Sequence, residues 1–165
     1  MLGFRSTRLL GCALAGALLL QTAVAASRAT AAEHLVRTVT ESGDGRFHFE
    51  PSLLLIEVGD QVRFVVTSRL HSTKSIGGMM PADSPRWWGR MGQDMLVTFT
   101  RPGVYGYKCE AHYAVGMVGL IVVGAEPPNL EAAREFRHPP AAAAAFDELF
   151  ARLDCLREAG GDCPD

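Results

Sequence analysis

Basic residues, and lysine above all, are scarce in this 165-residue chain. Lys74 and Lys108 are its only lysines, and 16 basic residues face 18 acidic ones. Arg5 and Arg8 both lie in residues 1–25, so without that segment 14 basic residues face 18 acidic ones, a formal charge of −4. Proteins that bind nucleic acids need clustered positive charge to neutralise phosphates. Nucleic acid is therefore not an expected partner.

The chain also has little uninterrupted apolar sequence. Its longest apolar run, Leu9 to Leu20, is shorter than the ~20 residues that a membrane-spanning helix needs. Arg5 and Arg8 precede this run and Ala23-Val24-Ala25 follows it, which is typical of a secretory signal peptide. We predict a signal peptide over residues 1–25, with cleavage as late as residue 32 as the alternative. The mature protein is expected to be exported and to have no membrane anchor.

Cysteine is rare as well, with four residues in the chain. Cys12 is removed with the predicted signal peptide, and Cys109 belongs to a candidate metal-binding motif. Cys155 and Cys163 remain, eight positions apart. In the oxidising compartment that export implies, a disulfide between them is favoured over a second metal site, because no histidine lies nearby in the sequence.

The most informative residues are Cys109, His112 and Met117, which have the spacing C-x2-H-x4-M. A thiolate, an imidazole and a thioether are ligands that suit copper, and one short loop can supply all three. A trigonal His2Cys plane with an axial Met needs a second imidazole, for which His71 is the best candidate. Each residue alone would be read as an ordinary core or surface residue. Their joint spacing predicts a copper site formed by His71, Cys109, His112 and Met117.

The other histidines, His34, His48 and His138, are not expected to be ligands.

Between Glu33 and Gly124, short β-rich runs alternate with turn residues, a pattern that predicts an antiparallel sandwich or barrel. Gly59-Asp60 is interpreted as the turn of a hairpin, and Ser42-Gly43-Asp44-Gly45 as another turn. Residues 77–93 have no clear period and are predicted to form a long loop. The predicted strands are Leu35–Thr40, Arg46–Phe49, Leu53–Val58, Gln61–Thr67, Met95–Thr100, Val104–Tyr107 and Val118–Val123.

The composition changes after Gly124, where Pro127-Pro128 ends the last strand. Asn129 is predicted to cap a short helix that ends near Phe136, and Pro139-Pro140 opens a second helix to about Leu156. We therefore divide the mature chain into a β domain at residues 33–124 and a helical extension at residues 125–165. The extension is expected to pack on the sandwich through an apolar stripe formed by Phe146, Leu149, Leu153 and Leu156.

Several stretches of the mature chain resemble the cupredoxins, and among them the pseudoazurin family. The resemblance implies a Greek-key β-sandwich with two C-terminal helices and one type 1 (blue) copper ion held by His71, Cys109, His112 and Met117. It also implies a monomeric periplasmic one-electron carrier and not an enzyme, which docks weakly near His112 to redox partners such as a copper nitrite reductase or a cytochrome. The matching stretches are Phe49-Glu50-Pro51, Val58-Gly59-Asp60, Gly77-Gly78-Met79-Met80-Pro81, Pro102-Gly103-Val104-Tyr105-Gly106, Lys108-Cys109 to Met117-Val118-Gly119 and Pro128-Asn129-Leu130-Glu131-Ala132.

Two residues near the ligands depart from that family. Ser72 stands where the family usually has Asn, and its shorter side chain is expected to brace the two ligand loops less well. Ala111 stands where pseudoazurins usually have Pro, which restores a backbone N–H that could donate to the Cys109 sulfur and raise the reduction potential.

The surface around the site also differs from that of the pseudoazurin family, because the family's ring of lysines around the exposed histidine is missing. Arg69, Arg86 and Arg90 are candidate substitutes around an apolar docking surface, although scattered solvated arginines are an equally good interpretation. The candidate apolar residues are Met79, Ala114, Val115 and one of Trp87 and Trp88.

The methionines Met79, Met80, Met91 and Met95 support an alternative function, that of a periplasmic copper chaperone or buffer. Thioether groups on a surface could bind copper(I) transiently. Apolar filling of the 77–93 loop is the simpler interpretation of the same residues.

Overall fold

Two four-stranded sheets face each other in this protein. The computed structural model describes residues 30–41, 46–159 and 163, so the predicted signal peptide and the turn at 42–45 lie outside the described residues. One sheet has the strand order β2-β1-β4-β6 and the other the order β3-β8-β7-β5. The strands are β1 Glu33–Thr40, β2 Phe47–Glu50, β3 Leu53–Ile56, β4 Gln61–Val65, β5 Lys74–Ser75, β6 Met95–Thr98, β7 Gly103–Lys108 and β8 Val118–Val123.

The predicted β-sandwich is confirmed, but its strands are mixed and not purely antiparallel. β1 runs parallel to β4, with Val36 opposite Phe64, and β3 runs parallel to β8. The remaining ladders are antiparallel. The parallel pairs arise because the chain crosses between the sheets after β2 and again after β3, so sequence neighbours are not always partners.

The predicted hairpin at Gly59-Asp60 is wrong. β3 and β4, which this turn connects, belong to different sheets. Gly59 has a φ of 102°, a left-handed conformation that both a hairpin turn and a connection between two sheets can use. The buried Asp60 carboxylate accepts hydrogen bonds from the Ala32 N–H at 2.8 Å and the Glu57 N–H at 3.1 Å, which fix this crossing.

Two apolar clusters lie on opposite faces of the second sheet. The first fills the space between the sheets and includes Val62, Phe64 and Tyr107. The second lies between the outer face of the second sheet and the C-terminal helices, where Leu120 packs with Phe146. All six residues of β8 are buried because this strand is covered on both faces.

The two predicted C-terminal helices are confirmed as α1, Leu130–Arg134, and α2, Pro140–Ala159. Asn129 does not cap α1 with its side chain. Its amide instead accepts from the Val104 N–H at 2.8 Å and donates to the Val104 carbonyl at 2.9 Å, which attaches the start of the extension to β7. The division of the chain at residue 124 stays a prediction.

The stripe of α2 is buried or half-buried against the second cluster, as predicted. In the last turns of α2, Cys155 forms the predicted disulfide with Cys163, with a Cα–Cα distance of 6.0 Å. In the parts of the chain that the structure describes, no helix combines the length and the apolar character that crossing a membrane requires.

Candidate metal centre

One strand-to-strand loop carries three of the four predicted ligands. Cys109 directly follows β7, and Met117 directly precedes β8. The Cys109 N–H donates to the Met117 carbonyl at 3.0 Å, and the Met117 N–H donates to the His112 carbonyl at 3.1 Å. These two hydrogen bonds close the loop. Its two ends are also held together by the antiparallel pairing of Lys108 with Val118.

The fourth predicted ligand, His71, reaches the same place from the loop after β4. The Cys109 Sγ lies 3.5 Å from the Nδ1 of His112 and 4.0 Å from the Nδ1 of His71. The potential ligand atoms of these three residues all lie within 4.8 Å of one another. Met117 is close to them and fully buried. Two imidazoles, a thiol and a thioether thus converge, a donor set that fits copper.

The thiol and one imidazole are shielded from water, whereas the other imidazole is half-exposed. Cys109 and His71 are fully buried, and His112 is partly accessible. Burial lowers the pKa of His71, with a further contribution from nearby His112, and burial also lowers the pKa of His112. Both imidazoles are therefore favoured in the neutral form, which is the form that binds a metal.

Thr40, at the end of β1, contacts the site although its sequence position gave no sign of this. Its Oγ1 lies 2.8 Å from the Nε2 of His71. When His71 Nδ1 is free to bind a metal, Nε2 carries the proton and donates it to Thr40. Such an outer hydrogen bond fixes both the tautomer and the ring plane of a ligand histidine.

Phe47, in β2, is a second residue that the sequence did not assign to the site. Its ring stacks on the ring of His112 with a centroid distance of 3.9 Å and an interplanar angle of 18°. The edge of the same ring approaches His71 at 5.7 Å. Phe47 therefore covers one side of the half-exposed imidazole and limits its rotation.

Ser72 connects the two ligand loops despite its short side chain. Its hydroxyl accepts a hydrogen bond from the Glu110 N–H at 3.2 Å, and Ser72 is itself buried. The His71 carbonyl also accepts from the Gly92 N–H at 2.9 Å. The loop that carries His71 is thus held from two sides.

At the second departure, Ala111, the expected hydrogen bond to the Cys109 sulfur is not formed in the part of the chain that the structure describes, and the expected effect on the reduction potential stays a prediction. Among the described residues, no hydrogen bond joins the Ala111 N–H to the Cys109 Sγ, whose contacts of this kind are with His71 and His112. Ala111 is exposed, so its methyl group adds to the surface of the loop.

The surface around His112 is apolar, but part of the predicted docking surface is wrong. Met79 and Trp87 are core residues with 0% and 5% exposure. Trp87 is held inside because its Nε1–H donates to the Thr73 hydroxyl. Exposed apolar residues in and beside the ligand loops include Leu70, Trp88, Ala111, Ala114 and Val115.

The arginines predicted to surround that surface differ from the nearby lysine in their contacts. Arg69, Arg86 and Arg90 are exposed. Lys74 instead pairs with Glu110 at 3.1 Å and lies 3.5 Å from the centroid of Trp88. Its charge is therefore shared between a carboxylate and an aromatic ring.

The remaining described histidines lie outside the cluster. His34 pairs with Asp60 at 2.9 Å, His48 lies 3.8 Å from Glu41, and His138 contacts Tyr113. In the described ranges, His71, Cys109 and His112 form the single group of three histidine, cysteine or acidic side chains that could share a metal ion.

Residues 36–124 match the family model for copper-binding proteins of the plastocyanin/azurin family. The chain belongs to this family. Its cofactor is therefore copper. It is 37% identical over 142 residues to a pseudoazurin from Methylorubrum extorquens, a match that covers 86% of this chain and 96% of the relative.

Two further relatives agree with this assignment. The chain is 34% identical over 124 residues to a pseudoazurin from Paracoccus pantotrophus, which covers 75% of this chain and 86% of the relative. Its fold is similar to the crystal structure of native pseudoazurin from Hyphomicrobium denitrificans, with a TM-score of 0.67 and 30% identity over 72% of this chain and 96% of that one. The resemblance to the pseudoazurins is thus confirmed in both sequence and fold, and it identifies the protein as a cupredoxin of the type 1 copper, electron-carrier kind.

Proposed function

We propose that this protein is a periplasmic carrier of single electrons that holds one copper ion between His71, Cys109, His112 and Met117. The observation that carries the proposal is the convergence of the Cys109 Sγ with the Nδ1 atoms of His71 and His112, at 4.0 and 3.5 Å. Copper bound there would supply a one-electron couple between its two oxidation states.

The residues around the site suit electron transfer because they resist rearrangement. Thr40 holds His71, Phe47 stacks on His112, and Ser72 joins the loop of His71 to the loop of Cys109. A carrier works best when its ligands hold nearly the same positions in both oxidation states. Cys109 and His71, which are fully buried, would bind without competing water, and the buried Met117 would supply a thioether as the fourth ligand.

His112 is the proposed exit for the electron, because it alone of the four ligands is partly exposed. Val115, with 63% exposure, and Ala114 lie beside it and would form the docking surface. A small apolar contact surrounded by charged groups supports the weak, short-lived complexes that a carrier needs. The proposed partners are a donor such as a cytochrome and a reductase of denitrification, for instance a copper nitrite reductase.

The exposed arginines Arg69, Arg86 and Arg90 are the proposed positive rim of that surface. With few free lysines, recognition would depend on planar guanidinium groups that can bind carboxylates through two hydrogen bonds. Partners with exposed carboxylates around their own apolar patch are therefore expected, and their association should weaken with added salt.

The alternative of a copper chaperone is weakened by the positions of the methionines. Met79 and Met80 are 0% and 9% exposed and belong to the two apolar clusters. They cannot offer a copper(I)-binding surface without unfolding, which leaves Met91 as the well-exposed member of the set.

The experiment that tests the proposed function is a redox titration of the copper-loaded protein, combined with a copper-retention assay. A carrier should show a reversible one-electron couple and keep its copper for hours in the presence of a competing chelator. Rapid loss of copper to the chelator, with no reversible couple, would favour the chaperone instead.

A further inference from the structure

The side chain of Tyr113 points from the ligand loop into the C-terminal extension. Tyr113 directly follows His112 and packs on the second apolar cluster. Its hydroxyl lies 2.6 Å from the Nδ1 of His138, in the segment between α1 and α2. A hydrogen bond therefore joins the residue next to a proposed copper ligand to a segment far away in the sequence.

His138 lies against aromatic rings, with the charges of Lys108 and Asp147 near enough to act on it, and it is hydrogen-bonded to Tyr113. Its ring stacks on Phe146 at a centroid distance of 4.3 Å, and Phe136 lies 5.0 Å away. Its Nε2 is buried and has no hydrogen-bond partner within the part of the chain that the structure describes. Loss of the Tyr113 contact would leave a second buried polar atom unpaired, so the pair has few alternative arrangements.

The backbone of Tyr113 and His112 in turn determines the shape of the ligand loop. The Tyr113 carbonyl accepts from the Gly116 N–H at 3.1 Å, and the His112 carbonyl accepts from the Val115 and Met117 N–H groups at 3.2 and 3.1 Å. Displacement of Tyr113 would therefore displace the loop on both sides of His112.

A second contact brings the extension against the same loop. Gly116 has a φ of 94°, and a Cβ atom built on it would lie 3.2 Å from the Ala141 carbonyl at the start of α2. The loop and the extension therefore approach each other closely at two positions, Tyr113 and Gly116.

We propose that His138 is a positioning residue for the metal centre, which acts through Tyr113 to fix the ligand loop around His112. The C-terminal extension then belongs to the electron-transfer apparatus and is more than a cover for the second sheet. This inference rests on the proposed function, because it takes His112 as the exposed ligand. We therefore expect that a polar group at the position of Nδ1 holds the ligand loop in place even without the imidazole ring.

The test compares amide hydrogen exchange in copper-free variants. Tyr113→Phe removes only the hydroxyl. His138→Leu and His138→Asn are matched in size, and only Asn keeps a polar atom where Nδ1 lies. Leu156→Ala is the control, because Leu156 packs on the second cluster at the other end of α2. The amides to follow are those of Val115, Gly116 and Met117.

We expect the three loop amides to exchange about fivefold faster or more in Tyr113→Phe and His138→Leu, as the loss of one hydrogen bond predicts. His138→Asn should restore exchange to within about twofold of the parent protein, and Leu156→Ala should leave the loop amides unchanged. After copper loading, the reduction potential should differ from that of the parent protein in Tyr113→Phe and His138→Leu. In His138→Asn it should equal the parent value.

Unchanged loop exchange in Tyr113→Phe would overturn the proposal. So would equally fast exchange in His138→Asn and His138→Leu, or an acceleration spread evenly over α2, which would indicate a purely structural role. The exchange measurement needs no copper. A failure of the proposed function would therefore appear in the copper experiments, while the exchange results would still report on the loop.

Discussion

The hydrogen bond between Thr40 and His71 offers the sharpest test of how the protein prepares its copper site. Replacing Thr40 by Val keeps the shape of the side chain and removes the acceptor for the His71 Nε2–H, now 2.8 Å away. Because His71 is fully buried, a valine of the same shape would leave its Nε2–H without a hydrogen-bond partner.

An unpaired buried donor costs about 1–3 kcal/mol. Loss of the outer partner of a ligand histidine typically weakens metal binding by about 10- to 100-fold. The two magnitudes agree, since a tenfold change corresponds to about 1.4 kcal/mol. We therefore expect Thr40→Val to bind copper about 10- to 100-fold more weakly, measured by competition with a chelator of known affinity.

Two controls make this result interpretable. Thr40→Ser keeps the hydroxyl and should bind copper within about threefold of the parent protein. Thr98→Val makes the same chemical change on β6, where the Thr98 hydroxyl bonds to Gln61 at an exposed position, and should leave affinity unchanged. Parent-like affinity in Thr40→Val would show that the hydrogen bond does not prepare the site.

Three other side chains, Ser72, Val115 and Asp60, can be tested by single substitutions. Ser72→Ala removes the acceptor for the Glu110 N–H and should lower the free energy of unfolding of the copper-free protein by about 1 kcal/mol in urea titrations; an unchanged midpoint would contradict this. Val115→Asp should slow electron self-exchange about tenfold or more without changing the visible spectrum, whereas Val58→Asp, at an exposed position in the turn after β3, should leave the self-exchange rate unchanged; equal rates in the two variants would refute the docking surface. Asp60→Asn should lower the free energy of unfolding by about 1–3 kcal/mol at pH 7, and parent-like stability would be contrary to expectation.

The Asp60 prediction also has a definite pH dependence. Hydrogen bonds from His34 and from the Ala32 N–H hold the pKa of the Asp60 carboxyl below its ordinary value of 3.8. A carboxyl with a lowered folded-state pKa stabilises the fold above its unfolded-state pKa, and this contribution disappears as the pH falls through the folded-state pKa. The difference between Asp60→Asn and the parent protein should therefore shrink below about pH 4.

The sequence was most informative where one short segment carries the chemistry. Cys109, His112 and Met117 lie within nine positions, so their spacing alone indicated a common site, and His71 followed from the need for a second imidazole. Thr40 and Phe47 could not be found in this way. They reach the site from the first sheet, and only the packing of that sheet against the ligand loops reveals the contact.

The incorrect predictions also concern contacts between residues that are distant in the sequence. Gly59-Asp60 has the chemistry of a tight turn, and a hairpin and a sheet crossing need the same local residues. Met79 and Trp87 lie in a segment without periodicity, so the sequence gave no sign of which side chains face inward. Trp87 is buried because Thr73, from another loop, accepts its indole hydrogen bond.

The central claim is that Cys109 binds copper as a thiolate at the centre of this site. Its most direct test is the visible spectrum of the mature protein after addition of one equivalent of copper(II), compared with that of Cys109→Ser. We expect an intense thiolate-to-copper band in the parent protein and its complete loss in the variant. A colourless parent protein, or a band that survives in Cys109→Ser, would contradict it.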